Sequence, residues 1–256
     1  MLGLSISLSL RGSGGGAHAP SVTAGTISGS LIIAATLSLA GSSVTGADTT
    51  TYSWKINGVE YGTSATFSPD FGGSCTCTVT GTNAIGSTSA TTPAVAIDPT
   101  PVVIAVGSQD VNTNGISVPW PTHKLNDIGL LLIETANETP ATGSGFTSLA
   151  SVGVGVAAAS DATLLTLQWK RAASSSEANV SIADAGDHTF GRMISVRGCP
   201  PGSTPVTLLA SQTLSVSSSP MSWIDATTTV DNTLVALVAT NPEDVSSGSS
   251  FAGFSN

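Results

Sequence analysis

From about Val102 onward, short runs with β-type periodicity follow one another at intervals of about 12–20 residues, with no amphipathic helix between them. In "LLTLQWK", Leu165, Leu167 and Trp169 alternate with Thr166, Gln168 and Lys170. A strand sends successive side chains to opposite faces, so one face here is apolar and the other polar. "GLLLIE" and "LVALVA" are apolar throughout, the pattern of strands covered on both faces in mid-sheet. Helix formers of the Glu/Lys/Arg/Gln type are scarce, while Thr, Val, Ser and Gly dominate, as a pleated, half-buried surface favours. The fold class that follows is all-β. One segment, "TSLASVGVGVAAASDA", could carry a short helix, against which Gly153 and Gly155 count.

The spacing of strands and turns divides the 256 residues into three parts. An N-terminal strand arm and Gly-rich tether occupy 1–18. A first sandwich occupies 19–99, with strands expected in "GSLIIAATLSLAG", "TTYSWKING", "SATFSP", "SCTCTVTGTN" and "STSATTPAVAI". The Pro-punctuated "AIDPTPVV" then leads into a jelly-roll-like β-sandwich over 100–256.

The opening "MLGLSISLSL" decides between a leader and a piece of structure. A secretory signal needs a basic segment, then an unbroken apolar stretch. Here Arg11 follows the apolar residues, and Leu2, Leu4, Ile6, Leu8 and Leu10 alternate with Gly and Ser. The run therefore reads as a β-strand, made in the cytoplasm without a signal peptide. An aliphatic strand on a loose tether is hazardous uncovered. It is expected to add to a sheet edge on another subunit, or to fold back onto its own domain. At the other end, Phe251 and Phe254 open a core-facing stretch that a neighbouring subunit or further chain would complete.

Charge excludes some partners. Lys and Arg number 7 against 16 Asp and Glu, for a net charge of -9, so nothing supplies the basic patch that nucleic acid requires. Mean hydropathy is +0.30, yet no apolar run approaches the roughly 20 residues of a spanning helix, so no membrane insertion is expected. Cys75 and Cys77 lie on one strand face with parallel Cβ vectors, unsuited to a disulfide. With Cys199 they read as free thiols. No further ligands stand at metal-site spacing, and no cofactor is implied.

Catalytic signals are sparse. Asp184, Asp187 and His188 in "SIADAGDHTF" could orient a general base, but no nucleophile motif accompanies them, and Asp and Gly before a strand make a turn. Glu134 and Glu138 could add oxygens to a calcium site with Asp184 and Asp187, still short of the set calcium needs. His18 and His123 sit in loop contexts. No catalytic or metal residue is nominated, and the chain reads as a non-enzyme. Trp120 in "VPWPTHK" and Trp223 in "SPMSWIDA" stand beside prolines at strand ends. There a ring can either stack on a surface glycan or fill a core.

Two resemblances add to this. "TYSWKINGVEYGTSATFSPDFGGSCTCTVTGTNAIGSTSA" resembles Ig-like and PKD-like domains. Trp54 stands at the buried central Trp, Gly73 to Val79 at the later strand, and Asn83 and Gly86 at its turn. Cys75 replaces the family tyrosine and Cys77 lacks a partner, so the resemblance implies a sandwich without its inter-sheet disulfide. The opening strand with its Gly-rich tether resembles the start of tailed-phage virion structural proteins. "DIGLLLIETANETPATGSGFTSLAS" and "LTLQWKRAASSSEANVSIADAGDHTFGRMISVRGC" are similar to a module of phage tail and virion proteins. That resemblance implies a tail-fibre or capsid-decoration protein on the virion surface. It would be anchored through residues 2–10, homo-oligomeric, and in contact with other capsid or tail proteins. A secreted adhesin or carbohydrate-binding module is the alternative.

Overall fold

A computed structural model describes residues 18–112, 114–136, 138–154, 163–183, 189–199, 202, 204–208 and 233. Among them every regular element is a strand, so the chain is all-β, as the periodicity predicts. The arm residues Leu2, Leu4, Ile6, Leu8 and Leu10, together with Asp184, Asp187, His188, Trp223, Phe251 and Phe254, lie outside the described residues. So do the expected strands around "VTLLASQTLSVSS" and "LVALVA".

The chain forms two compact units. The first holds 18–28, Leu37–Phe67 and Cys75–Val95; the second holds Gly29–Thr36, Ser68–Ser74 and the described residues from Ala96 onward.

The first unit begins with β1 (Ser21–Thr23), β2 (Thr26–Ser28), β3 (Ser38–Ala40) and β4 (Ser43–Thr45), which pair as β1-β4 and β2-β3. Next along the chain come β5 (Thr49–Ile56), β6 (Val59–Gly62), β7 (Gly73–Asn83), β8 (Gly86–Thr91) and β9 (Val95–Ile97), of which Gly73, Ser74, Ala96 and Ile97 fall in the second unit. Four of these run in the order β6-β5-β7-β8. The β5–β6 hairpin turns on Asn57 and Gly58, at φ of 50° and 84°. A two-residue turn matched to strand twist needs positive φ at both positions, which Asn and Gly tolerate. β7 alternates strictly. Cys75, Cys77 and Val79 are buried, while Thr78, Thr80 and Thr82 face outward and bond across to Thr91, Ser89 and Ser87 at 2.9, 2.7 and 2.8 Å. Trp54, 0% exposed, fills the inner side, stacks on Phe67 at 5.5 Å, and donates its Nε1–H to Ser64 O at 2.9 Å.

One expected strand is not continuous. The aliphatic run of "GSLIIAATLSLAG" breaks at Ala34, whose φ is 64°. Ile32 bridges Asp98, Leu37 bridges Phe67, and only Ser38–Ala40 is a strand. The run supplies buried Ile33 and Leu37 to separate places, which hydrophobicity alone does not disclose. "SATFSP" likewise contributes a single bridge at Phe67.

The second unit contains β10 (Val102–Val106), β11 (Asp110–Asn112), β12 (Ile116–Val118), β13 (Ile128–Ala136), β14 (Thr147–Val154), β15 (Thr163–Arg171), β16 (Val180–Ile182) and β17 (Thr189–Arg197). Its main sheet runs β10-β17-β13-β15-β14, with β11 also on β17, and β12 pairs β16 separately. β13 is central, flanked by β15 and β17. One side packs Leu131, Ile133 and Met193 against Ile116, Val118, Val180 and Ile182 of the β12-β16 ribbon. The other packs Ile128, Leu130 and Leu132 with Ile194 and Val196. Burial of each such side chain contributes roughly 1.5–3 kcal/mol. The expected helix is corrected at its start: residues 147–154 form edge strand β14. The segment gains its backbone partners from β15, and pairing overrides weak local propensity.

Candidate functional site

The polar side chains buried in the second unit fasten loops to the sheet. Gln168, 0% exposed, accepts Gly143 N–H at 2.8 Å and donates to Ala141 O at 3.2 Å. Ser195, also fully buried, donates to Thr122 O at 2.8 Å. Thr135 Oγ1 donates to Glu138 O at 2.6 Å. Each bond satisfies a group whose desolvation would otherwise cost about 1–3 kcal/mol.

Two clusters carry the charge. In the first, Arg197 and Asp127 form a buried fork, with Nε to Oδ1 at 2.8 Å and Nη2 to Oδ2 at 2.7 Å. Asp127 Oδ2 also accepts Lys124 N–H at 2.8 Å. Asp70 extends the fork, 3.5 Å from Arg197 Nε and 2.9 Å from Lys124 Nζ. The side-chain bond to Asp127 leads in raising the Arg197 guanidinium further above its ordinary value. Arg171 Nη1 donates to Asn126 O at 3.0 Å and Cys199 O at 2.8 Å, tying neighbouring turns together.

The second cluster gathers Trp120, His123, Phe146, Lys170 and Glu177. Trp120 follows β12 and is half-buried against the core. Its ring lies over Gly129, where an added Cβ would fall 2.4 Å from Cη2, so the residue at 129 must lack one. Phe146 sits 6.0 Å and His123 4.8 Å from the indole. The Lys170 ammonium stands 5.9 Å from both aromatic rings, a cation–π distance, and meets Glu177 Oε2 at 2.6 Å. Glu177 Oε1 accepts the N–H groups of Ala173 at 2.6 Å and Ser174 at 3.2 Å. Its bond to Lys170 is the largest of the influences that hold its carboxyl below the usual range.

Of the residues singled out from sequence, Trp120 is therefore placed among core and charged neighbours. Glu134 is a buried residue of β13 paired opposite Leu165 and Phe190, while Glu138 lies in the loop beyond. The exposed Asn179 donates to Ser117 Oγ at 3.3 Å. His18 O accepts from Asn83 Nδ2 at 2.8 Å. Among the described residues no group of three or more His, Cys, Asp or Glu is placed to hold a metal ion. No helix there is long and apolar enough to cross a membrane. Sequence reasoning missed Asp127, Arg197 and Glu177, whose partners lie up to 70 residues away.

All three cysteines are free, with Cys75 and Cys77 buried. Burial pushes the Cys77 thiol up to about 11 and raises those of Cys75 and Cys199. The thiolate is the reactive form. Cys75 and Cys77 are therefore expected to stay unmodified by a disulfide reagent near neutral pH until denaturant is added. Prompt labelling of either in the native chain would contradict this assignment.

No protein-family model and no curated protein sequence matches the chain. Among solved structures, a similarity is found to one described as the structural basis for the promiscuous specificity of carbohydrate-binding modules from the β-sandwich superfamily. It has 13% identity and a TM-score of 0.21, covering 71% of this chain and 92% of the other.

Proposed function

We propose that this chain is a non-enzymatic structural component of a phage virion, displayed on the particle surface as a decoration, fibre or tail-associated protein. Residues 2–10 would be its anchor, the first sandwich a spacer, and the second the outward module in a homo-oligomer. The observation that carries this reading is the use of polar chemistry as fastening. The Arg197–Asp127 fork, Gln168, Ser195 and Glu177 all bind their own backbone or each other. A free neutral surface of hydroxyl ladders on a chain with 9% charged residues suits repetitive close packing.

The test is fractionation of particles from a producing lysate, probed for this protein, beside a variant lacking residues 1–12. The expected result is co-sedimentation of the full chain and loss of it in the variant. A full chain that stays in the free fraction overturns the virion role. Glycan binding by that free protein would then favour the adhesin or carbohydrate-binding alternative.

A further inference from the structure

The loop between β15 and β16 is held by an acceptor that a single proton can convert into a donor. His123 Nδ1 lies 2.7 Å from Pro121 O. A carbonyl only accepts, so Nδ1 carries the ring hydrogen and Nε2 presents a lone pair. That lone pair receives the Glu177 N–H at 3.2 Å. A proton on Nε2 would set two N–H groups against each other and abolish the bond.

We propose that residues 172–179 form an acid-released strap, fastened to the two side chains that flank Trp120 and loosened by a proton on His123 Nε2. Among the described residues the strap has few other holds. Its start is tied by Ala172 N–H to Asp127 O at 2.8 Å and by Asn126 N–H to Ala172 O at 2.9 Å, and its far end by the Asn179–Ser117 contact. Between them Glu177 is the hub, through its own N–H and through its carboxylate on Lys170, Ala173 and Ser174. Against His123 lies Trp120, whose Nε1 is buried and, among the described residues, has no hydrogen-bond partner. An orphaned indole N–H lowers the cost of admitting water there.

Among the described residues, the charged groups around the imidazole are few. Lys170 on β15 and Glu177 on the strap are paired with each other. On the histidine's own loop, Lys124 is bonded to Asp70 and Asp127 to Arg197. None of these bonds stands in for the acceptor that Nε2 provides. The bond to Lys170 leads in depressing the folded value of the Glu177 carboxyl, so its contribution is present above the unfolded carboxylate range and is lost only as pH falls through that lower value.

Amide hydrogen exchange on the full chain, corrected for intrinsic rates, tests this at about pH 7.5 and about pH 5.5. The Glu177 amide is expected to lose about tenfold in protection at the lower pH, while Leu131 in the sheet centre and Ala172 keep theirs. In His123→Gln, the Gln Oε1 can accept the same N–H and does not titrate, so the Glu177 response is expected to vanish. Equal protection of the wild-type Glu177 amide at both pH values overturns the proposal. So does an unchanged loss in His123→Gln. Should that variant fail to fold, the wild-type pair of measurements, with Leu131 as internal control, still decides.

Discussion

Replacing Asp127 with alanine is expected to destabilise the second unit by about 3–5 kcal/mol, because the change strands the buried Arg197 guanidinium without its counter-charge. Arg197 is 7% and Asp127 3% exposed, so water cannot take over the fork's two bonds. Asp70 at 3.5 Å retains part of the attraction, which places the effect nearer the lower end. The loss has a second component: Asp127 Oδ2 also accepts Lys124 N–H, the turn that leads into central strand β13. Removing both charges together, as in Asp127→Leu with Arg197→Met, is expected to cost much less than Asp127→Ala. A buried ion pair adds little over an apolar pair of similar volume, whereas a lone buried charge is costly. Urea titration of the three proteins measures this. A loss below about 1 kcal/mol for Asp127→Ala, within the range of exposed pairs, would mean the fork is hydrated and not structural.

The second large effect belongs to the first unit. Trp54→Ala is expected to cost about 3–5 kcal/mol, the range for emptying a fully buried aromatic site. Trp54 is 0% exposed, stacks on Phe67 and satisfies Ser64 O. Its loss leaves a cavity, a widowed ring and an unmet carbonyl. Trp54→Phe keeps most of the apolar contact and gives up the Nε1 bond, so it should cost substantially less. Calorimetry on both variants reads the difference without relying on the deleted fluorophore. Equal stability of Trp54→Ala and the parent chain would remove Trp54 from the core. The chain has two compact units, so two transitions are to be fitted if they separate.

Some of this was legible because strand packing writes itself into local patterns. Two-faced apolar character put "GLLLIE" in mid-sheet, and β13 lies between β15 and β17. Alternation in "SCTCTVT" assigned the cysteines to one face, and both are buried and free. The candidate cluster around Trp120 was half-legible. The tryptophan stood out beside its prolines, but Glu177 looked like any loop acid, and nothing near it in sequence names Lys170 or His123 as its partners.

The sequence by itself determined that the chain would be built of strands, which face of β7 turns inward, that β13 is covered on both faces, and that its cysteines would stay unpaired, but not that Thr166 and Gln168 on the polar face of β15 are its fully buried residues. These properties depend on a residue and its neighbours two positions away, where side chains share a face. Tertiary structure alone decided that residues 147–154 pair as an edge strand, that the aliphatic run at 29–41 breaks at Ala34, and that Arg197 meets Asp127. Each of those depends on a partner distant along the chain. A backbone hydrogen bond, an ion pair or a left-handed φ is stabilised by what the fold brings near, and no local period encodes that.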